Sequence, residues 1–382
     1  MKIGILFIHC ILSCQLIAQV SNWTIQAAYV PGKLSKHTEK MLYDPRGIAN
    51  FAELDFVYQT QGSFTWERYY KLPRYGVSMR YLDLGKPHEI LGNGFSIAPY
   101  MDFGILQHQS YSFRFMIACG LAYLNLPYDI KTNSLQTAIG SHWNNHTSFQ
   151  IRFEHTLMKK HAVFLGVSLS HTSNGAFKSP NLGLNYLSGV MGIGLETQKQ
   201  KTYERLQNIQ VSESEKGAAH LSFQLEWGAT WKETRIPNGP KYLINFWTSD
   251  IGYQYTNYKS WRLAVDIENN HLASYFSDYT ELRNNKKQAA KDGLRLNVYG
   301  GHQWLFGGIS LSLKAGYQFL RNISLDDYPV VTKLDLCYLV PYAFLNRVKP
   351  YVGISLKTHF GTAEYIGAVS YTHLTLPTNR EV

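Results

Sequence analysis

The sequence predicts an all-β protein, an antiparallel transmembrane β-barrel of the outer membrane with about 12–16 strands. Three observations predict it. Apolar and polar residues alternate over most of the chain, the period of a strand with two unlike faces. The alternating segments run to about ten residues with aromatics near their ends, as strands crossing a bilayer between interfacial girdles do. Beyond the first residues no run approaches the roughly 20 apolar residues of a membrane helix, although 45% of the 382 residues are hydrophobic and 14% aromatic. A soluble sandwich would also alternate. Charges and glycines on the polar face, inside the strands, favour a barrel lumen.

Taken in order, Lys2 precedes the apolar stretch Ile3 to Leu12, and Ala18 offers a small residue before Gln19. Residues 1–18 therefore read as a secretory signal peptide; Leu12-Ser13-Cys14 is a poor lipobox, which argues against a lipoprotein. Residues 19–366 are expected to form one barrel. Strands are predicted near 23–31, 52–60, 74–84, 94–105, 110–122, 148–157, 162–173, 184–195, 219–232, 242–256, 259–267, 294–304, 308–319, 336–343 and 350–360. In 221–231, for example, Leu221, Phe223, Leu225, Trp227 and Trp231 oppose Ser222, Gln224, Glu226 and Thr230. The short connections 106–109, 158–161 and 257–258 are assigned to the periplasmic end. The longer polar segments 123–147, 174–183 and 268–293 are assigned to the outer end. Segment 197–218 is long on the periplasmic side and breaks that rule. After Ile366 the alternation fits poorly, and "SYTHLTLPTNREV" resembles translated sequencing-adapter sequence. The tail 367–382 is expected to be non-native, with the last strand missing.

Loss of the signal peptide leaves two of the four cysteines, Cys119 and Cys337, which is no disulfide framework. The net charge of +10, on an exported chain, points to anionic lipid or polysaccharide and away from nucleic acid. His142 and His146 lack a clear third ligand, so no metal centre is expected. The basic cluster "RNNKKQAAKDG", 283–293, reads as a solvated loop or as a contact for lipopolysaccharide phosphates.

One stretch breaks the pattern chemically. In 162–173, Val163, Leu165, Val167 and Leu169 share one face, and His171 and Ser173 continue that apolar face at the strand's outer end. On the next strand Leu187, Met191, Ile193 and Leu195 are apolar, and Asn185 has their parity. Residues two apart on a strand project the same way. A hydroxyl, an imidazole and an amide therefore converge on the outside of the barrel. Their catalytic reading is that His171 takes the Ser173 proton, Ser173 attacks an ester and Asn185 orients the ring. Ordinary interfacial polar residues would show the same spacing.

"HTSNGAFKSPNLGLN", 171–185, resembles the active-site segment of the outer-membrane lipid A 3-O-deacylases (the PagL-type family), whose pattern is H-x-S-N followed by a P-N turn. The resemblance implies a membrane-embedded barrel that hydrolyses the ester-linked acyl chain at the 3 position of lipid A. Its partner is then outer-leaflet lipid A or lipopolysaccharide, and no cofactor is implied. By the same resemblance His171 is the general base and Ser173 the nucleophile, while Asn174, Gly175 and Asn181 serve an oxyanion hole. The chain departs from the family at Asn185, where the family has a glutamate. Glu196 has the wrong parity to replace it, and Glu154 shares the lumen face with Gln150 and Arg152. Family barrels are also much smaller than this chain. A catalytically silent structural barrel and a transport barrel are the alternatives.

Overall fold

Period-two alternation becomes sheet throughout the computed structural model, which describes residues 22–157, 161–195, 199–209, 217, 219–280, 291–320, 328–340, 348–359 and 362–375. Sixteen strands form two closed antiparallel barrels of eight. The first comprises β1 (Trp23–Leu34), β2 (Ala49–Gln59), β3 (Arg74–Asp83), β4 (Asn93–Gln107), β5 (Tyr111–Leu124), β6 (Trp143–Leu157), β7 (His161–Ser173) and β8 (Leu184–Leu195). The second comprises β9 (His220–Glu233), β10 (Lys241–Thr256), β11 (Lys259–Asn270), β12 (Leu294–Phe306), β13 (Ile309–Gln318), β14 (Val330–Leu339), β15 (Val348–His359) and β16 (Thr362–Thr375). Within each barrel every strand pairs with the next; β1 with β8 and β16 with β9 complete the closures.

Closure removes sheet edges, and eight strands leave an interior just wide enough for side chains. On β7, Val163, Leu165, Val167 and Leu169 are exposed while Ala162, Phe164, Ser168 and Ser170 are buried. On β11, Trp261, Leu263, Val265 and Ile267 are exposed while Arg262, Ala264, Asp266 and Glu268 are buried. This inverted pattern, apolar out and charged in, is that of a barrel with its outer face in lipid. At the seam of the first barrel, Gly32 lies opposite Ser188, and a Cβ there would stand 1.9 Å from the Ser188 hydroxyl. At the β12–β13 hairpin, Gly307 adopts φ +61° in a two-residue Gly-Gly turn between the paired Phe306 and Ile309.

Ion pairs fill the interiors. In the first barrel Arg152 bonds Glu53, Asp55, Gln26 and Gln150, and Arg80 pairs with Glu53 at 2.6 Å. Arg74 joins Asp102 at 2.5 Å and Glu154 at 2.6 Å, and Arg114 adds a second bond to Asp102. In the second barrel Lys333 pairs with Glu226 at 2.6 Å, Lys314 with Asp335 at 2.9 Å, and Lys357 with Glu268 at 2.6 Å and Glu364 at 3.0 Å. Above its charged layer the first barrel holds an apolar plug that includes Met41, Tyr43, Phe51, Leu82, Ile139 and Tyr186. Side chains packed in this way argue against an open channel. The full chain reconstituted in liposomes should show no ion conductance above lipid alone, whereas a transport barrel would give discrete channel currents.

Two expectations meet a different arrangement. Among the described residues the strands number sixteen, within the expected range, but they close twice instead of forming one barrel over 19–366. Strand alternation is the same in a barrel of eight or of sixteen, so it carries no signal for where pairing returns to the first strand. Segment 197–218, out of place in a single barrel, is the connection between the two closures; its described part includes the helix Lys199–Asn208. The tail from 367 was expected to lie outside the barrel, yet through Thr375 it is part of β16, paired with both β15 and β9. Val369 and Tyr371 turn inward, and the Tyr371 ring stacks on Tyr351 at 4.6 Å. The signal peptide, most of the 283–293 cluster and the last seven residues lie outside the described residues. Cys119 is half-buried and Cys337 buried, both as free thiols.

Candidate active site

The β7–β8 ladder sets His171 directly across from Asn185, and the β6–β7 ladder sets Thr147 across from His171 and Asn145 across from Ser173. His171, Ser173 and Asn185 all have the parity of the exposed apolar residues on their strands. Beside them on that face, Thr147 Oγ1 donates to Asn145 Oδ1 at 2.8 Å, and Asn145 Nδ2 donates to the Gly120 carbonyl at 3.1 Å. Polar groups on the outer face of a barrel are costly when unpaired, and here they are bonded to one another.

The three side chains form a directed chain of hydrogen bonds. His171 Nδ1 lies 2.6 Å from Asn185 Oδ1, and His171 Nε2 lies 2.8 Å from Ser173 Oγ. A carbonyl oxygen can only accept, so Nδ1 carries the ring proton and donates to it. That leaves the Nε2 lone pair facing the serine hydroxyl, which is the tautomer a general base needs. Ser173 is buried, while His171 and Asn185 are half-buried. Burial strengthens these bonds relative to water.

Gly183 holds the ring in place from behind. It adopts φ +81°, and a Cβ there would stand 2.6 Å from His171 Cε1. Gly183→Ala should displace the imidazole; a misplacement of about 1 Å costs on the order of 10²-fold in rate. The measurement is kcat beside an unchanged far-UV spectrum.

The turn after Ser173 is held by hydrogen bonds among its own residues. The Asn174 backbone N–H donates to Asn181 Oδ1 at 2.9 Å, and the Asn174 side-chain amide donates to the Lys178 carbonyl at 2.8 Å. Gly175 takes φ +62°, where an L side chain is strained. Of the three expected oxyanion donors, the Asn174 N–H is thus already engaged.

The remaining candidates go elsewhere. Glu154 is buried in the lumen with Arg74. His142 Nδ1 donates to the Leu124 carbonyl at 2.8 Å, whereas His146 lies in the lumen between Thr172 and Arg80. Glu196 is outside the described residues. Sequence reasoning missed His37: its Nδ1 is 3.2 Å from Asn185 Nδ2 and its Nε2 is 3.0 Å from the Leu182 carbonyl. The signal was its odd number, shared with the outward positions of β1, but that places it at this site only if β1 adjoins β8.

The family model for lipid A 3-O-deacylase (PagL) matches residues 51–193, from β2 into β8. Among solved structures, the outer membrane enzyme PagL is similar at 14% identity over 44% of this chain and 97% of its own, with a TM-score of 0.31. A mutant of the Rh. blastica porin is similar at 8% identity over 93% of this chain and 99% of its own, with a TM-score of 0.17. Acinetobacter baumannii OccAB2 is similar at 7% identity over 93% and 98%, with a TM-score of 0.25. No curated protein matches the chain. The protein is an outer-membrane β-barrel protein.

Proposed function

We propose that the first barrel, whose residues 51–193 match the lipid A 3-O-deacylase family, is a serine esterase that removes the 3-O-linked acyl chain of lipid A. The observation that carries this reading is the Ser173–His171–Asn185 chain, with contacts of 2.8 and 2.6 Å and the imidazole in the tautomer of a base. Ser173 Oγ attacks the ester carbonyl as His171 Nε2 takes its proton. The protonated imidazole then returns that proton to the 3-oxygen of the sugar as the acyl bond breaks. Water, activated by the same nitrogen, hydrolyses the acyl-serine. The outward parity of all three residues supports lateral entry of substrate from the outer leaflet, with no passage through a lumen. Gly175 and Asn181 are the proposed oxyanion donors, and losing one such donor costs about 10²–10³-fold in kcat; Asn181→Ala should show it in the rate of acyl release.

Asn185 orients the imidazole without a negative charge to stabilise its protonated form. A hydrogen bond to a charged acceptor is worth about 1 kcal/mol more than a neutral one, so Asn185→Asp should raise kcat by roughly 5-fold.

The test is mass spectrometry of lipid A from cells expressing the full chain. The expected result is loss of one acyl chain from the 3 position, absent from cells expressing Ser173→Ala. An unchanged lipid A in both strains, with correctly inserted protein, leaves the silent barrel as the better reading.

A further inference from the structure

We infer that His37 is a positioning residue for this reaction: it fixes the direction of the hydrogen-bond chain that makes His171 a base. The inference rests on the esterase reading above and goes beyond it.

An asparagine is a two-faced orienter. A carboxylate presents only acceptors to an imidazole, so the ring proton must sit on the nitrogen facing it. An amide can turn over and present NH₂ instead. His171 Nδ1 would then accept, the proton would move to Nε2, and Ser173 would face a donor where it needs a base. In Ser–His–Asp enzymes, Asp→Asn costs about 10⁴-fold through this wrong tautomer. A chain with Asn185 in that position needs something to hold the amide one way round.

His37 meets that need. Its Nδ1 lies 3.2 Å from Asn185 Nδ2, and its Nε2 lies 3.0 Å from the Leu182 carbonyl oxygen. The Leu182 oxygen can only accept, so Nε2 carries the His37 proton and Nδ1 is left with a lone pair. That lone pair accepts the Asn185 NH₂. Asn185 Oδ1 is thereby turned to His171 Nδ1 at 2.6 Å, and His171 Nε2 is left to accept from Ser173 at 2.8 Å. The other His37 tautomer would bond the Ser35 carbonyl at 3.3 Å, but it would lose Leu182 and set an N–H against the Asn185 NH₂. It makes one bond where the first makes two. A backbone carbonyl, which has no second orientation, thus sets the polarity of four side chains in series.

His37 comes from the loop after β1, and the ladder continues past the strand where the Ser35 N–H donates to the Asn185 carbonyl at 2.8 Å. The His37 side chain is exposed, so replacing it removes no core packing. A carboxylate at 185 has no wrong face, and this supplies the discriminating measurement.

The experiment is a double-mutant cycle on the purified full chain in detergent, following fatty-acid release from lipid A, with kcat and KM measured separately. His37→Ala should lower kcat by about 10-fold, the most that the amide-orienting hydrogen bond can hold in place and inside the ~10⁴-fold ceiling of complete tautomer loss, with KM little changed. In the Asn185→Asp background the same substitution should cost less than about 3-fold, a strongly non-additive cycle. His37→Gln offers an acceptor and a donor on adjacent atoms and should recover most of the rate. Equal losses in both backgrounds, or no loss from His37→Ala in the Asn185 chain, would overturn the inference. A Ser173→Ala chain as active as the parent would instead overturn the esterase reading itself.

Discussion

Ser173→Ala will reduce acyl release by about 10⁴–10⁶-fold, since removing the serine of such a site discards the covalent route entirely. His171→Ala should fall to a similar level, because a serine without its base keeps its proton. The double variant should fall no further. That third result is the informative one. On the esterase reading proposed above, the 2.8 Å contact between His171 Nε2 and Ser173 Oγ is a single proton's path, so losing either end is equivalent to losing both. Fatty-acid release followed by mass spectrometry over days, against a no-enzyme control, has the range to see it. A double variant as slow as the product of the two single losses would mean that the residues act separately, and the shared-proton mechanism would be wrong.

The second large effect concerns stability. Arg152 is fully buried and bonds Glu53, Asp55, Gln26 and Gln150, with its guanidinium 4.9 Å from the centre of the Phe164 ring. Arg152→Met keeps much of the volume but leaves two carboxylates facing each other with only Arg80 nearby. Removing one partner of a buried ion pair costs about 3–5 kcal/mol, because the remaining charge has neither water nor counter-ion. Heat-induced loss of the folded gel band should shift to markedly lower temperature. Adding Asp55→Asn should restore part of the loss by removing one orphaned charge. If the single variant melts with the parent, water reaches this layer and the lumen is not the closed polar core described.

Much of the fold was legible because strands write their two faces directly into the sequence. The β7 alternation from Val163 to Leu169 predicted both the element and its outward face. The parity of His171, Ser173 and Asn185 came from the same rule. The boundaries were less legible: β14 begins at Val330, six residues before the predicted strand, because Lys333 and Asp335 look like loop until Glu226 and Lys314 are seen to neutralise them in the lumen.

The sequence by itself determined fifteen of the sixteen described strands (β16 was not among them), which face of each is apolar and the local spacing of nucleophile and base, since all three depend on neighbours two residues apart. Tertiary structure alone decided that pairing returns to β1 after eight strands and begins again at β9. Alternation does not encode how many strands a barrel takes to close. That one decision laid β1 beside β8, and with it His37 beside Asn185, across 148 residues of chain.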